Sequence, residues 1–263
     1  MSKYKIFLLG TLLLIGLGML VVLPKATNYL EIQRVENQNE DTISEIKEFL
    51  NTPIAKPVLE PQKPITIQEE KLLLLPTSAY LEVEFICQAP LQTEANWQYH
   101  EESCEEVAVL QSYLYMTGQT MTRQEAHEEV LKMIDWQMAE FGGHHDIYAD
   151  KVKEFIEGYY DVEDSDIEIV YDATLEDVRS YIAEGFPVIV PIMGNILKNP
   201  YYPHPGYHML VAIGYTEDMI VTNDNGTRKG ADFSYENQVF QDAMNAAGGD
   251  IVIIKTKTTK SSH

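Results

Sequence analysis

Residues 207–226 read YHMLVAIGYTEDMIVTNDNG, and this stretch decides the fold prediction. Apolar, β-branched and aromatic residues dominate both of its halves, His208–Tyr215 and Met219–Thr222, which predicts two strands with a short polar connection. The Asp-Asn-Gly tripeptide at its end predicts a turn. Antiparallel strands with a short connection bring the start of the first beside the end of the second. We therefore expect His208 and Asp224 to lie side by side.

Helical patterns occur mainly before this stretch. Apolar residues recur at helical spacing from Cys104 onward, Thr122 is a capping residue for a helix that stops at Gly142-Gly143, and Thr174 caps a helix that ends at Gly185. The other predicted elements are strands over Leu81–Phe85, Ile167–Tyr171, Pro187–Ile192 and Asp250–Lys255, a helix over Asp150–Tyr160, and a helix from Ser234 to Ala247. Helices that precede a mainly antiparallel sheet indicate the α+β class.

The N-terminus carries a membrane signal. Lys3 and Lys5 precede an uncharged run from Ile6 to Leu23, which is just long enough to span a bilayer as a helix. Basic residues favour the cytoplasmic side, so the rest of the chain is expected outside the membrane. No small-x-small cleavage site follows, so we expect residues 1–24 to be an uncleaved single-pass anchor. A cleaved signal peptide, which would release a secreted protein, is the alternative.

Composition divides the remaining chain. Residues 25–79 are polar and rich in proline, which predicts a stalk with at most one short helix over Thr42–Leu50. Residues 80–256 are expected to form the folded domain, and residues 257–263 a polar tail. The chain has 41 acidic and 19 basic residues, a net charge of -22, which argues against nucleic-acid binding because phosphates are repelled.

The chain has two cysteines, Cys87 and Cys104, too few for a disulfide scaffold. Cys104 lies at a predicted helix start, where exposed N–H groups stabilise a thiolate. Four nearby glutamates have the opposite effect, because carboxylates raise a thiol pKa. A reactive Cys104 therefore needs an imidazole beside it, and His208 with Asp224 as its orienting carboxylate satisfies that need.

Gln88 supplies a fourth candidate group. It ends the first predicted strand, and a side-chain amide can donate a hydrogen bond to the oxyanion that forms in acyl transfer. The candidates then follow the order Gln88, Cys104, His208, Asp224 along the chain. No cofactor is expected. The groups His144-His145-Asp146 and His204 with His208 resemble metal ligands but lack a typical ligand spacing, so no metal is expected either.

Several motifs in this order resemble the peptidase family 39-like domain. They are FICQAP at 85–90, ESCEE at 102–106, GFPVIVP at 185–191, NPYY at 199–202, YHMLV at 207–211 and TNDNGTRKG at 222–230. The resemblance covers residues 80–256 and implies a papain-like fold. It also implies Cys104 as nucleophile, His208 as base, Asp224 as orienting residue and Gln88 as oxyanion donor, acting on a peptide or protein substrate.

The chain also departs from the better-known relatives, the peptidase domains of bacteriocin exporters. Glu105 follows the cysteine where those domains have glycine, and the Gln88-to-Cys104 interval is longer than theirs. Their double-glycine substrate is therefore not expected here. The prediction is a membrane-anchored, extracytoplasmic cysteine peptidase. A thiol amidase or transpeptidase would use the same residues, and a non-catalytic binding module on an inherited peptidase fold is the alternative from another class.

Overall fold

A computed structural model describes residues 28–51, 75–93, 97–201 and 206–256. The chain divides into two units, residues 1–41 and 42–263. The described part of the first unit, 28–41, is helical, and helical residues continue to 51 in the second; we call 28–51 helix α1. Within the described ranges, no helix is both long and apolar enough to cross a membrane. The run 6–23, where a membrane helix is predicted, lies outside them.

The described part of the domain contains six further α-helices. They are α2 (Cys104–Thr117), α3 (Arg123–Phe141), α4 (Ala149–Tyr160), α5 (Leu175–Glu184), the short α6 (Gly194–Leu197) and α7 (Asn237–Ala246). Thr122 caps α3 in a capping box with Glu125, and Gly142 ends the helix in the left-handed conformation. Thr174 caps α5 in the same way, as predicted. These ends were predictable because caps act through neighbours in sequence.

Among the residues that the structure describes, seven strands form one antiparallel sheet. They are β1 (Ala79–Tyr80), β2 (Ile167–Val170), β3 (Val188–Met193), β4 (Tyr207–Tyr215), β5 (Met219–Asn223), β6 (Phe233–Glu236) and β7 (Ile251–Ile254). The order is β2-β7-β3-β4-β5-β6, and β1 pairs with the end of β4. The α+β class predicted from the sequence is confirmed, with β4 and β5 adjacent and antiparallel. Because Val211 pairs with Asn223, Asp224 leaves β5 on the side where His208 lies, near the start of β4.

Three local predictions differ from the structure. Residues 81–87 form no regular strand, because their backbone groups bond singly to other partners: Leu81 N donates to Ile213 O, and Val83 O accepts from Asn223 Nδ2. The helix predicted from Ser234 begins three residues later. Residues 233–235 are all buried and pair with β5, and this tertiary burial overrides the local helical pattern.

The third difference concerns α1. Its 24 helical residues extend well beyond the short helix predicted over Thr42–Leu50. Residues 28–51 contain neither proline nor glycine, so nothing interrupts the helix before Pro53. In the second unit, Ile46 is 1% exposed, so this end of the helix contributes to a packed surface.

The core explains where the candidate site lies. Strands β3 and β4 are buried along nearly their whole length, as a sheet covered on both faces requires. Helix α2 is also buried on almost every side, and Val107 to Leu110 are fully inaccessible. Cys104 is the first residue of this central helix. The helix therefore carries it, and the glutamates beside it, into the interior.

Candidate active site

Cys104 is held against the start of β4. Cys104 is 5% exposed and is the first residue of α2. Asn225 connects the two segments, because its Nδ2 donates to Cys104 O at 2.9 Å and to Met209 O at 3.2 Å. One amide side chain thus fixes the nucleophile candidate next to the residue that follows His208. The sequence offered Asn225 only as a turn residue.

His208 and Asp224 form a buried pair. Nε2 of the imidazole lies 2.9 Å from Oδ1 of the aspartate. The histidine is 8% exposed and the aspartate is inaccessible. An ionised carboxylate only accepts hydrogen bonds, so this contact places the proton on Nε2 and leaves Nδ1 as the basic nitrogen. The side-by-side arrangement expected from the strand pattern is present.

Two residues that sequence reasoning missed hold the other oxygen of Asp224. Asn199 Nδ2 donates to Oδ2 at 3.0 Å, and the Tyr235 hydroxyl donates to the same atom. Gly226 N–H donates to Oδ1 at 3.2 Å. Hydrogen bonds to the charged form stabilise a buried carboxylate. Asn199 and Tyr235 come from distant parts of the chain, and only Asn199 lay within a motif that the sequence singled out.

Gly226 permits the turn after β5 to approach the imidazole. A Cβ atom at this position would lie 3.1 Å from both Cε1 and Nε2 of His208. Such a contact is tighter than normal packing allows, so a side chain here would displace the ring or the turn. The glycine of the Asp-Asn-Gly sequence therefore leaves room for the His208 ring as well as allowing the chain to reverse.

Gln88 lies next to the same turn. Its backbone N–H donates to Asn225 O at 2.9 Å. Its side-chain Nε2 donates to the carbonyls of His100 and Glu101, at 3.0 and 3.3 Å. The amide therefore secures the loop that leads into Cys104. Donation to an oxyanion requires that one of these two bonds be exchanged or shared.

Glu105 contacts the thiol directly. The Cys104 sulfur donates to Glu105 Oε2 at 3.1 Å, and Ile147 N–H donates to Oε1 at 3.0 Å. Burial raises the pKa of the Cys104 thiol well above its usual value, and the Glu105 carboxylate raises it further. Burial likewise raises the pKa of Glu105 well above 4.5, with Glu106 adding to the shift. The two raised pKa values favour the protonated thiol of Cys104 and the protonated carboxyl group of Glu105.

Glu106 and His144 form a second buried pair. His144 Nε2 lies 3.4 Å from Glu106 Oε1, and Gln137 Nε2 donates to the same oxygen at 3.0 Å. Burial alone lowers the pKa of His144, but Glu106 and the neighbouring Glu102 offset it, so the net shift is upward. The histidine is thus committed to this pair.

Asp146 approaches Cys104 and Glu105. One ligand atom from each of these three residues lies within 4.8 Å of the others, which is the one such grouping among the described residues. The sequence pattern pointed instead to His144, His145 and Asp146 together. His204, the other candidate named beside His208, lies outside the described residues.

The sequence profile of the Peptidase_C39 like family matches residues 80–250 of the chain. This match covers well over half of the sequence. The chain belongs to the Peptidase_C39 like family. As a member of this family it is a cysteine peptidase, and the family assignment predicted from the motifs is confirmed. No curated protein matches the chain significantly.

Three solved structures are similar to the chain at low identity. A protein from Bacillus anthracis assigned as a C39-like peptidase is 15% identical, with a TM-score of 0.49, over 69% of this chain and 99% of that one. Xylellain, a cysteine protease from Xylella fastidiosa, is 12% identical, with a TM-score of 0.45, over 73% and 90%. The Carica candamarcensis cysteine protease CMS1MS2 is 14% identical, with a TM-score of 0.41, over 70% and 100%.

Proposed function

We propose that this C39-like chain is a membrane-anchored, extracytoplasmic peptidase in which Cys104 is the nucleophile and His208 its general base. The observation that carries the proposal is the buried His208–Asp224 pair, 2.9 Å apart, directly before Met209, whose carbonyl accepts from the same Asn225 amide as the carbonyl of Cys104. A nucleophile, a base and an orienting carboxylate in this relation are what acyl transfer requires.

The raised thiol pKa defines how the proton moves. Because burial and Glu105 favour the protonated thiol, His208 takes the proton while Cys104 attacks the carbonyl, instead of forming a lasting ion pair beforehand. The C–N bond of the substrate then breaks, and the imidazolium returns the proton to the leaving amine. Water, activated by the same imidazole, hydrolyses the thioester. Asp224 holds the ring through Nε2 and stabilises its charged form throughout.

Two donors are available for the oxyanion. Cys104 opens α2, and the first N–H groups of a helix have no acceptor inside it. Gln88 is the second, provided that its amide exchanges one bond to the 100–101 carbonyls for the oxyanion. The existing hydrogen bonds already restrict the rotamer of Gln88, so its side chain loses little conformational entropy when it binds the oxyanion.

The anchor rests on the sequence alone. Lys3 and Lys5 before the apolar run Ile6–Leu23 support a single span with the peptidase domain outside the cytoplasm. We propose peptides or proteins at the outer face of the membrane as substrates. A net charge of -22 disfavours nucleic acid as a partner.

One observation favours a second candidate, a binding module without catalysis. The Glu105 carboxylate on the sulfur and the burial of the thiol both oppose thiolate formation. A thiol amidase or transpeptidase would retain the reactive pair and differ only in the acceptor. The reactivity of Cys104 and its dependence on His208 therefore distinguish a peptidase from a binding module. The reaction products distinguish a peptidase from an amidase or a transpeptidase.

The deciding experiment measures alkylation of Cys104 by iodoacetamide in the full-length protein, with mass spectrometry to distinguish it from Cys87. We expect His208→Ala to slow the reaction at pH 7 by at least tenfold. Equal rates would contradict the proposed pair and favour the binding module. A peptide library incubated with wild type and with Cys104→Ala then reports chemistry: new peptide termini indicate hydrolysis, and joined peptides indicate transfer.

A further inference from the structure

A cavity of about 480 Å³ lies beside the segment that precedes Gln88. Its apolar wall consists of Phe85, Ile86, Pro90, Met121 and Ala126, and Cys87 contributes a thiol. Arg123 and Arg228 also line it, together with Glu84. A volume of this size, lined by both apolar and charged side chains, is within the range of small-ligand sites. We call it the arginine pocket.

The two guanidinium groups are unusual in this chain. It has four arginines and 41 acidic residues, yet two of the arginines line one cavity. Within the described residues, neither Arg123 nor Arg228 forms an ion pair with a carboxylate. Arginine pairs readily with carboxylates in two-point hydrogen bonds. Two such groups that remain without one, in so acidic a protein, indicate an anionic ligand.

The position of Arg123 strengthens the positive potential. It is the first residue of α3, where the helix dipole is positive and an acidic residue is normally preferred. Thr122 and Glu125 satisfy the end of this helix through the capping box, so the arginine does not contribute to capping. The arginine and the helix end therefore attract the same anion into the pocket.

Arg228 is held in place in advance. Its Nη2 donates to Ala89 O at 3.1 Å, which attaches it to the backbone next to Gln88. Guanidinium carries five N–H donors, so others remain for a ligand. Because one bond already orders the side chain, a ligand does not have to immobilise it, and less entropy is lost on binding.

We propose that the arginine pocket binds the free C-terminal carboxylate of a peptide whose last side chain is apolar. The two arginines recognise the carboxylate, and Phe85, Ile86 and Met121 surround the side chain. Glu84 disfavours a ligand with a second negative charge, which selects a carboxylate over a phosphate dianion. The pocket acts independently of the chemistry at Cys104.

Cys87 supplies a reporter inside the pocket. Burial raises the pKa of its thiol, while the Ala89 N–H and the guanidinium groups of Arg228 and Arg123 act in the opposite direction. Replacing the other cysteine, as in Cys104→Ser, leaves Cys87 as the one thiol of the full-length chain. Its thiolate attacks a methanethiosulfonate reagent, which forms a mixed disulfide and releases methanesulfinate. Rates with anionic and cationic reagents of equal size then measure the local potential.

We expect the anionic reagent to modify Cys87 faster than the cationic one, by on the order of tenfold at low salt. The net charge of -22 alone predicts the reverse. Substituting both arginines, Arg123→Gln and Arg228→Gln, should restore a preference for the cationic reagent. Lys229→Gln removes an equal charge next to Arg228 but outside the pocket, and should change the ratio less than twofold. A cationic preference with both arginines present overturns the proposal.

The ligand is tested in the same Cys104→Ser protein with a neutral thiol reagent. An acetylated tripeptide ending in leucine with a free carboxylate should slow modification of Cys87 at least fivefold, and its C-terminal amide should not. The variant with Arg123→Gln and Arg228→Gln should lose this protection of Cys87 by the peptide. Equal protection by the amide, or protection by inorganic phosphate but not by the peptide acid, overturns the proposal. Because Cys104 is absent, failure here leaves the peptidase proposal standing.

Discussion

His208 Nε2 lies 2.9 Å from Asp224 Oδ1, and the aspartate is fully buried with three further hydrogen bonds from Gly226, Asn199 and Tyr235. Hydrogen bonds from several donors fix the position of the carboxylate. The pair is therefore well suited to orient an imidazole and to stabilise its positive charge while a thiol proton is transferred.

Asp224→Asn should slow alkylation of Cys104 and any peptide cleavage by about a hundredfold or more, because the charge that stabilises the imidazolium is lost. The measurement is the second-order rate with iodoacetamide between pH 6 and 8. Tyr235→Phe is the matched control, since it removes one donor to Asp224 and keeps the carboxylate. We expect it to cost less than tenfold. If Asp224→Asn alkylates at the wild-type rate, the aspartate has no role in activating the thiol.

Glu105→Gln should increase the reactivity of Cys104. The carboxylate on the sulfur raises the thiol pKa, so its removal lowers that pKa, and one unit corresponds to tenfold more thiolate. We expect faster alkylation of the variant at a pH where Glu105 is ionised in the wild type, and the two rates should converge at lower pH, where it is protonated. Glu101→Gln, which removes an exposed charge from the same region, should leave the rate unchanged. A slower Glu105→Gln variant would refute this account.

The same residue should make stability depend on pH. Burial raises the pKa of Glu105 above 4.5 in the folded state, so the folded chain holds a proton that the unfolded chain releases. Its contribution is complete below pH 4.5 and is lost as the pH rises towards the folded pKa. The melting temperature of wild type relative to Glu105→Gln should therefore fall as the pH rises from about 4.5 towards the folded pKa. A constant difference across that range would show that Glu105 does not titrate with folding.

Gly230→Ala should destabilise the loop that carries Asp224. A Cβ atom at Gly230 would lie 1.7 Å from Asp224 O, so backbone must move. Strain of this kind belongs among the larger effects of single substitutions, and we expect a loss of roughly 10 °C in melting temperature with slower alkylation of Cys104. At Gly206 an added Cβ meets nothing within 4 Å, so Gly206→Ala is the matched control. Similar melting temperatures for the two variants would contradict this geometry.

The sequence predicted those features that depend on neighbours along the chain. Thr122 and Gly142 mark α3 because caps and stops are local, and the His208–Asp224 pairing follows from two adjacent strands. The burial of Glu105 was not predictable, because four glutamates around a cysteine resemble a solvated helix end. The burial of Glu105 and Glu106 follows from the central position of α2, a tertiary property that the periodicity of one helix does not reveal.

Long-range polar contacts were also not predictable from the sequence. Asn199 and Tyr235 reach Asp224 only because α6 and β6 fold back onto the end of β5. Ser234 was predicted to start a helix because the following residues have helical spacing, whereas pairing with β5 made 233–236 a strand. The missed contacts to Asp224 and the wrong helix start at Ser234 both arise where tertiary partners determine the local structure.

The last prediction concerns topology. The run Ile6–Leu23 has 18 uncharged residues, which as a helix span about 27 Å, close to the thickness of a bilayer core. With Lys3 and Lys5 in the cytoplasm, the peptidase domain should be membrane-bound and outside. Two charges at the centre of the run, Leu14→Arg and Ile15→Arg, cost about 5 to 7 kcal/mol of insertion and should move the protein to the soluble fraction.

The measurement is fractionation, followed by protease treatment of intact cells with the wall removed. Wild type should sediment with membranes and be digested from outside. The variant with Leu14→Arg and Ile15→Arg should instead be soluble and protected from the protease. A mature N-terminus near residue 25 in released protein would instead establish a cleaved signal peptide. Wild-type domain that resists external protease while remaining in the membrane fraction would place the peptidase in the cytoplasm. In that case its substrates could not be those at the outer face.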